Sequence, residues 1–251
     1  MKITGIIIAK NEQETISDAL ESLDWTHETL LIDTGSTDRT IEIAEAHKAT
    51  IFKAQEGNFS DWRNLGAKKA SGDWLIYLDA DERITPLLRG EIKRVLEEPS
   101  VSAFAIPRKN ILLGHAMRWG GWSNDYVIRI IRKDALEGWR GELHEQPRIS
   151  GQMRKLSQPL VHITHTSLSE MVDKTNYWSE IEARLLFQSG HPPMAWWRFI
   201  TVAFREFWYR AVRKLGFLDG PVGVIEIIYQ IFNRLIVYAK LWELQQKGKT
   251  K

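Results

Sequence analysis

The chain has 251 residues, 43% of them hydrophobic, with 34 Lys/Arg against 32 Asp/Glu and no cysteine. That length suffices for one large core, or a core with an appendage. The missing cysteines exclude a disulfide framework, a thiolate zinc site and a cysteine nucleophile, and fit a reducing compartment. The net charge of +2 hides an asymmetry: residues 191–251 hold 10 basic and 4 acidic groups (+6), residues 1–190 the other 24 and 28 (−4).

The first run, residues 3–9, is apolar and passes at once into Asn11-Glu12. It is too short for a signal peptide and reads as a buried strand. Residues 12–23 place Ile16, Ala19, Leu20 and Leu23 at helical spacing. Residues 29–33 form a second strand, and 37–47 a helix with Ser36 or Thr37 as its N-cap. Residues 49–53 read as a third strand, 60–70 as a helix broken by Ser71-Gly72-Asp73, and 74–78 as a fourth strand. Thr85-Pro86 opens another helix with a capping residue and Pro at its first position. Strands alternating with helices in this way predict an α/β fold with a Rossmann-like, mostly parallel sheet and right-handed crossovers. Residues 103–107, 126–132 and 160–164 are strand-like, separated by loops rich in Gly, Trp and Arg, and from Leu168 onward the pattern is helical. The longest stretch free of Asp, Glu, Lys and Arg, residues 156–169, spans 14 positions rich in His, Ser and Thr, so no membrane-spanning helix is expected.

The stretch "LIYLDADERI" ends an apolar strand in Asp79, Asp81 and Glu82. Carboxylates this close repel one another, and a cation is the simplest compensation. Ligands of open α/β sheets bind outside the carboxyl ends of the strands. Three such ends carry polar residues here: 9–12, 33–38 and 79–82. Asp-x-Asp at a strand end suits Mg²⁺ or Mn²⁺, which take one or two carboxylates and fill the other positions with water and phosphate oxygens. Asp33 is placed to accept a hydrogen bond from a base N–H. Arg63, in "FSDWRNLGA", offers a planar fork for a diphosphate.

The segments "IIIAKNE", "LLIDTGSTDRT" and "WRNLGAKKASGDWLIYLDADE" resemble family 2 glycosyltransferases of the GT-A fold, over about the first 110 residues. "GELHE", "GFLDG" and "YAKLWEL" resemble a narrower group, the bacterial lipopolysaccharide inner-core β-1,4-glucosyltransferases. The resemblance implies a nucleotide-sugar donor, a divalent metal and inversion at the anomeric carbon. In the narrower group it implies glucose moved from UDP-glucose onto a heptose of a lipid-linked core saccharide. The donor-binding set is then Ala9, Asn11, Glu12, Asp33, Arg63, Asp79 and Ala80. The metal falls to Asp81 and Asp79, with His144 as a further ligand. Many family members take their general base from an acidic pair after the Asp-x-Asp, and no clean Glu-Asp pair occurs here. Two candidates stand, Glu145 first and Asp125 second; His162 and His165 read as structural. On this reading residues 1–166 are the catalytic domain, with a nucleotide-sugar half to about residue 110 and an acceptor half beyond it, and 167–251 a helical, amphipathic and basic region. Two alternatives stay open: a polyprenyl phosphate or other glycan as acceptor, and nucleotidyl transfer, although "AKNEQE" lacks the Gly-rich basic loop a triphosphate needs.

In the tail, Trp197, Ile200, Phe204, Phe207 or Trp208, Ala211 and Leu215 recur at helical spacing, interleaved with Arg198, Arg205, Arg210, Arg213 and Lys214. This suits an interfacial helix on an anionic membrane. A second stripe, Ile225, Ile228, Phe232, Leu235, Ala239 and Trp242, is expected to pack inside, as apolar stripes usually do. The acidic front half argues against nucleic acid as a partner. The expected location is the cytoplasm, peripheral on the inner face of the cytoplasmic membrane.

Overall fold

A computed structural model describes residues 1–98, 100–142 and 145–247. In chain order the elements are β1 (Ile3–Ala9), α1 (Ile16–Glu21), β2 (Glu28–Asp33), α2 (Thr40–Ala46), β3 (Thr50–Lys53), α3 (Phe59–Lys69), β4 (Trp74–Asp79), β5 (Glu82–Arg83), α4 (Pro86–Val95), β6 (Val101–Leu112) and β7 (His115–Ala116). Then come β8 (Tyr126–Arg132), β9 (Leu136–Arg140), β10 (Gln146–Ile149), β11 (Gln152–Lys155), β12 (Leu160–His165), α5 (Leu168–Gln188), α6 (Trp196–Phe207) and α7 (Gly220–Lys247). Two compact units result: Met1–Lys109 with Asp125–Ile163, and Asn110–Asn124 with the chain from Thr164 onward. Residues 111–124, expected on the resemblance to lie in an acceptor half of the catalytic domain, group instead with the helical unit, together with Asn110.

In the first unit the strands run β3-β2-β1-β4-β8-β6. The first four are parallel, and β8 lies antiparallel between β4 and β6. All seven residues of β1 are buried, as a parallel strand covered on both faces requires. On one face Ile7, Leu31 and Ile76 pack with Ile16 of α1 and Leu88 and Ile92 of α4. On the other, Ile6, Leu30 and Tyr77 meet Trp62 and Leu65 of α3 and Trp139 of β9. Gly66 lets α3 lie close on the sheet, since a Cβ there would stand 2.6 Å from Ile6 Cγ2.

Caps set the helix boundaries. α1 starts later than its apolar spacing suggests because Asn11 is left-handed (φ 57°) and the Glu12 N–H donates to Thr40 Oγ1 at 2.7 Å. The start of α2 is fixed by Asp38, which accepts from Thr40 N at 3.0 Å, rather than by Ser36 or Thr37. α3 opens with a capping box between Asn58 and Asp61. α4 opens as expected, Thr85 Oγ1 accepting from Leu88 N with Pro86 at the first position.

In the second unit α7 packs on α5 and α6. Buried Ala183, Met194 and Leu241 form one cluster, and Leu112, Met117 and Met171 another. Asp219 accepts from Arg118 N at 3.0 Å and Trp119 N at 2.8 Å, tying residues 110–124 to the turn before α7. Gly223 is required there: a Cβ would sit 2.0 Å from the Gly216 carbonyl oxygen.

One expectation loses its premise here and another is overturned. Gly216–Lys247, 32 residues, is long and apolar enough to cross a membrane. A search for charge-free runs misses it because Glu226, Arg234 and Lys240 are spaced along it. The second apolar stripe is not the packed face: Ile228, Phe232 and Trp242 are exposed, and α7 buries Gly223, Glu226, Ile227, Val237 and Leu241 instead. A periodic stripe says which residues share a face, not which face is covered.

Candidate active site

Register brings the three polar strand ends together. Ala9 pairs with Asp33, and Ile8 with Asp79, so β1, β2 and β4 finish side by side. Side chains stitch these ends: Asn11 N donates to Ser36 Oγ at 3.0 Å, and Asn11 Oδ1 accepts from Thr37 N at 2.8 Å. Asp33 is 1% exposed and accepts from Gly35 N (3.3 Å) and Ser36 N (3.0 Å), which shapes the loop after β2. Ala80 is buried between the two aspartates.

Arginines supply much of the compensation that the acidic strand end demands. Asp79 Oδ1 accepts from Arg63 Nη2 at 2.9 Å, and its Oδ2 is held by Arg129 Nη2. Fully buried Glu82 accepts from Arg129 Nη2 at 2.6 Å and from the Asp79 N–H at 3.0 Å, with Arg108 Nη1 at 3.6 Å. Burial alone would raise the Asp79 pKa, but Arg129 and Arg63 outweigh it and hold the carboxyl well below its usual range. Asp79, expected to share a metal, therefore has both oxygens taken by guanidinium groups.

Asp81 differs. Among the described residues no arginine or lysine pairs with it; its neighbour is His162, whose Nε2 lies 3.4 Å from Asp81 Oδ2. β12 delivers that histidine, pairing antiparallel with β5 so that His162 stands opposite Glu82. His162, expected to be structural, is thus in the site. A carboxylate without an arginine suits Mg²⁺ or Mn²⁺, and an imidazole beside it favours Mn²⁺, the remaining positions falling to phosphate and water. Among the described residues no three His, Asp or Glu side chains are arranged to hold a metal ion by themselves. His144 lies outside the described residues.

Arg63 is turned inward, with 3% of its side chain exposed. Its Nε donates to Glu145 Oε1 at 2.9 Å, and its guanidinium lies over the rings of Trp139 (4.8 Å) and Tyr77 (5.6 Å). One arginine thereby joins Asp79 to Glu145. Next along α3, Asn64 exchanges two hydrogen bonds with the Trp139 backbone, at 2.8 and 3.1 Å, fixing β9 to the helix. Glu145 Oε2 receives no hydrogen bond from the described residues, and its side chain is 17% exposed. Asp125, the other candidate base, is gripped at both oxygens by Arg108, at 2.8 and 3.1 Å. Arg108 and Arg129 escaped notice in the sequence. The signal was there for Arg129, a lone arginine inside the apolar strand "YVIRIIR", because a charge in that position needs a partner.

A family model described as Glycosyl transferase family 2 matches residues 4–159 of this chain, a span that contains the three polar strand ends, Arg63, Arg129 and Glu145 but stops short of His162. The chain belongs to glycosyl transferase family 2. This family 2 glycosyltransferase is 22% identical over 276 residues to a glycosyltransferase of Rickettsia conorii, covering 99% of the chain and 92% of the relative. It is also 22% identical over 241 residues to the lipopolysaccharide core biosynthesis glycosyltransferase LpsC of Rhizobium meliloti, covering 90% of the chain and 88% of LpsC. Among solved structures it resembles S. aureus TarS 1–349 in complex with UDP-GlcNAc, with a TM-score of 0.51 at 15% identity, over 99% of this chain and 92% of that one. The fold is thus of the expected GT-A type, a mixed, mostly parallel sheet followed by a helical C-terminal region.

Proposed function

We propose that this glycosyltransferase moves a hexose, glucose from UDP-glucose, with inversion onto a lipid-linked saccharide such as the heptose of lipopolysaccharide. The observation that carries this reading is the single cluster containing Asp81, unpaired by arginine, and Glu145, half-engaged through Arg63. The likeness to LpsC along nearly the whole chain supports the choice of acceptor.

In this reading Asp81 would hold Mg²⁺ or Mn²⁺, with His162 a further ligand for Mn²⁺. A cation there would neutralise charge on the diphosphate leaving group. Asp33 keeps lone pairs beyond its two backbone bonds and accepts from the base N–H. Glu145 Oε2 takes the proton of the attacking hydroxyl while Arg63 fixes Oε1, the orientation a general base needs. Arg63 and Asp79 act as positioning residues. The protein works at the inner face of the cytoplasmic membrane, where its acceptor is anchored.

The test is a panel of UDP- and GDP-sugars, with Mg²⁺ or Mn²⁺ and a delipidated core saccharide, read as nucleoside diphosphate release. Acceptor-dependent release from UDP-glucose above all other donors is expected. Release from GDP-sugars alone, or acceptor-independence throughout, rejects the reading.

A further inference from the structure

The last two helices turn charge inward and aromatic groups outward. On the packed side of α7, Glu226 is 2% exposed and accepts from Gln230 at 2.8 Å, and Arg234 pairs with Glu182 of α5 and, at 4.0 Å, with Glu206 of α6. On its outward side Val224, Ile228, Phe232 and Trp242 are all exposed. α6 repeats the arrangement: Glu206 sits 3.5 Å from Arg210 inside, while Trp196, Ile200 and Phe204 are 75%, 60% and 63% exposed. The joining segment exposes about half of Phe217 and Leu218. A water-facing amphipathic helix does the reverse, and soluble monomers seldom leave more than a few hundred Å² of contiguous apolar surface bare.

The basic residues are less available than their sequence suggests. Arg210 donates to Gly120 O and Gln230 Oε1, both at 3.1 Å, Arg198 lies over the Trp197 ring, and Lys214 lies over Tyr209. Of the five that would drive an electrostatic attachment, Arg205 and Arg213 are the exposed ones.

We infer that the outward faces of α6 and α7 are embedded in one leaflet of a lipid bilayer, parallel to its plane, held by apolar burial and independent of anionic lipid. This deepens the lipid-linked acceptor reading and rests on it. A crossing orientation of α7 is disfavoured because Glu226, Gln230 and Arg234 find their partners within their own helix and on α5, α6 and the segment that follows α6, so spanning would carry those charged groups into hydrocarbon as well. Lying in the interface keeps the polar side on protein and gives Trp196, Trp197, Trp208 and Tyr209 the half-wet level such rings favour.

The test is flotation with vesicles of phosphatidylcholine alone, at low salt and at ~1 M salt, where the Debye length is only about 3 Å. Flotation in both is expected. The double variant Ile228→Glu/Phe232→Glu should partition at least about tenfold less, and Arg205→Gln/Arg213→Gln should stay within about twofold, since apolar burial rather than charge sets the free energy. Far-UV circular dichroism and turnover of a soluble acceptor in detergent verify that the variants fold. Flotation that requires anionic lipid and vanishes in salt overturns the inference in favour of an electrostatic surface. Absence of flotation, with a dimer that Phe232→Glu dissociates, overturns it in favour of a second copy of the chain. Turnover without flotation sinks this inference alone, and flotation without turnover of any donor sinks the proposed reaction alone.

Discussion

The two units solve the same problem, charge beside apolar surface, in opposite ways. In the first, a buried apolar sheet pushes carboxylates to one rim, where arginines pair most of them and leave Asp81 and half of Glu145 available. In the second, the ion pairs lie between helices and the apolar groups face out. Where charges gather at strand ends, the residue that escapes pairing is the one the proposed reaction uses. Where they gather between helices, the exposed side is the one the inferred bilayer contact uses.

The sharpest way to break this comparison is to remove the escaped carboxylate. Asp81→Ala should lower turnover by about 10⁴-fold, the several kcal/mol that charge neutralisation on a leaving diphosphate is worth. Chelation of divalent cations should do the same to the wild type, with recovery on adding Mn²⁺ or Mg²⁺. Thermal stability should hardly change, because Asp81 has no arginine partner to strand. An Asp81→Ala enzyme that turns over normally in excess EDTA would remove the metal from the reading.

Next in size is the base. Glu145→Gln keeps its shape but cannot accept a proton, so kcat should fall by ~10²–10⁴-fold with donor KM nearly unchanged. Asp125→Asn should be milder, since both Asp125 oxygens already serve Arg108. A reversed pair of results gives the role to Asp125.

Much of this site was legible beforehand, and the reasons differ by residue. The strands carrying Ala9, Asp33 and Asp79 announce themselves as apolar runs, because strands covered on both faces have no polar side. Thr85-Pro86 and the break at Ser71-Gly72-Asp73 are local signals that tertiary context did not override. Arg63 was found but its direction was not: a sequence cannot say whether a guanidinium faces a ligand or the two carboxylates of its own site. His162 was passed over because its importance lies in a two-residue pairing with β5, which no periodicity reveals. β9, β10 and β11 were missed because they are short and carry mostly part-exposed or exposed residues, with little apolar alternation.

The third contrast concerns stability. Arg129 is almost wholly buried and is the shared partner of Asp79 and Glu82, so Arg129→Met should cost about 3–5 kcal/mol by leaving fully buried Glu82 with only Arg108, at 3.6 Å, to compensate it. Arg234 in the helical unit also has two carboxylate partners, but its side chain is 32% exposed and water screens it. Arg234→Met should cost about 1 kcal/mol or less. Urea midpoints of the two variants measure the difference. Equal costs would mean that the inward charges of the second unit matter to its fold as much as the rim charges do to the first.

The last contrast has a pH signature. Burial pushes the Glu226 carboxyl from its ordinary 4.5 up to about 7, with Gln230, Arg210 and Trp122 only partly opposing it. Between those two pH values the folded chain holds a proton that the unfolded chain has released. Folding is therefore helped by this group below about pH 4.5, and the help is lost as pH rises to 7. The shift corresponds to about 3 kcal/mol at most. Glu226→Gln keeps a neutral group of the same shape, so it should gain stability over the wild type at pH 8 and match it near pH 5. The Glu226 charge also raises the pKa of Tyr229, but that phenol titrates above pH 8, so between pH 5 and pH 8 the difference in denaturation midpoints reports Glu226. A difference that does not change between pH 5 and pH 8 would show that water reaches this carboxylate and that the polar interior of the helical unit is wetter than its packing implies.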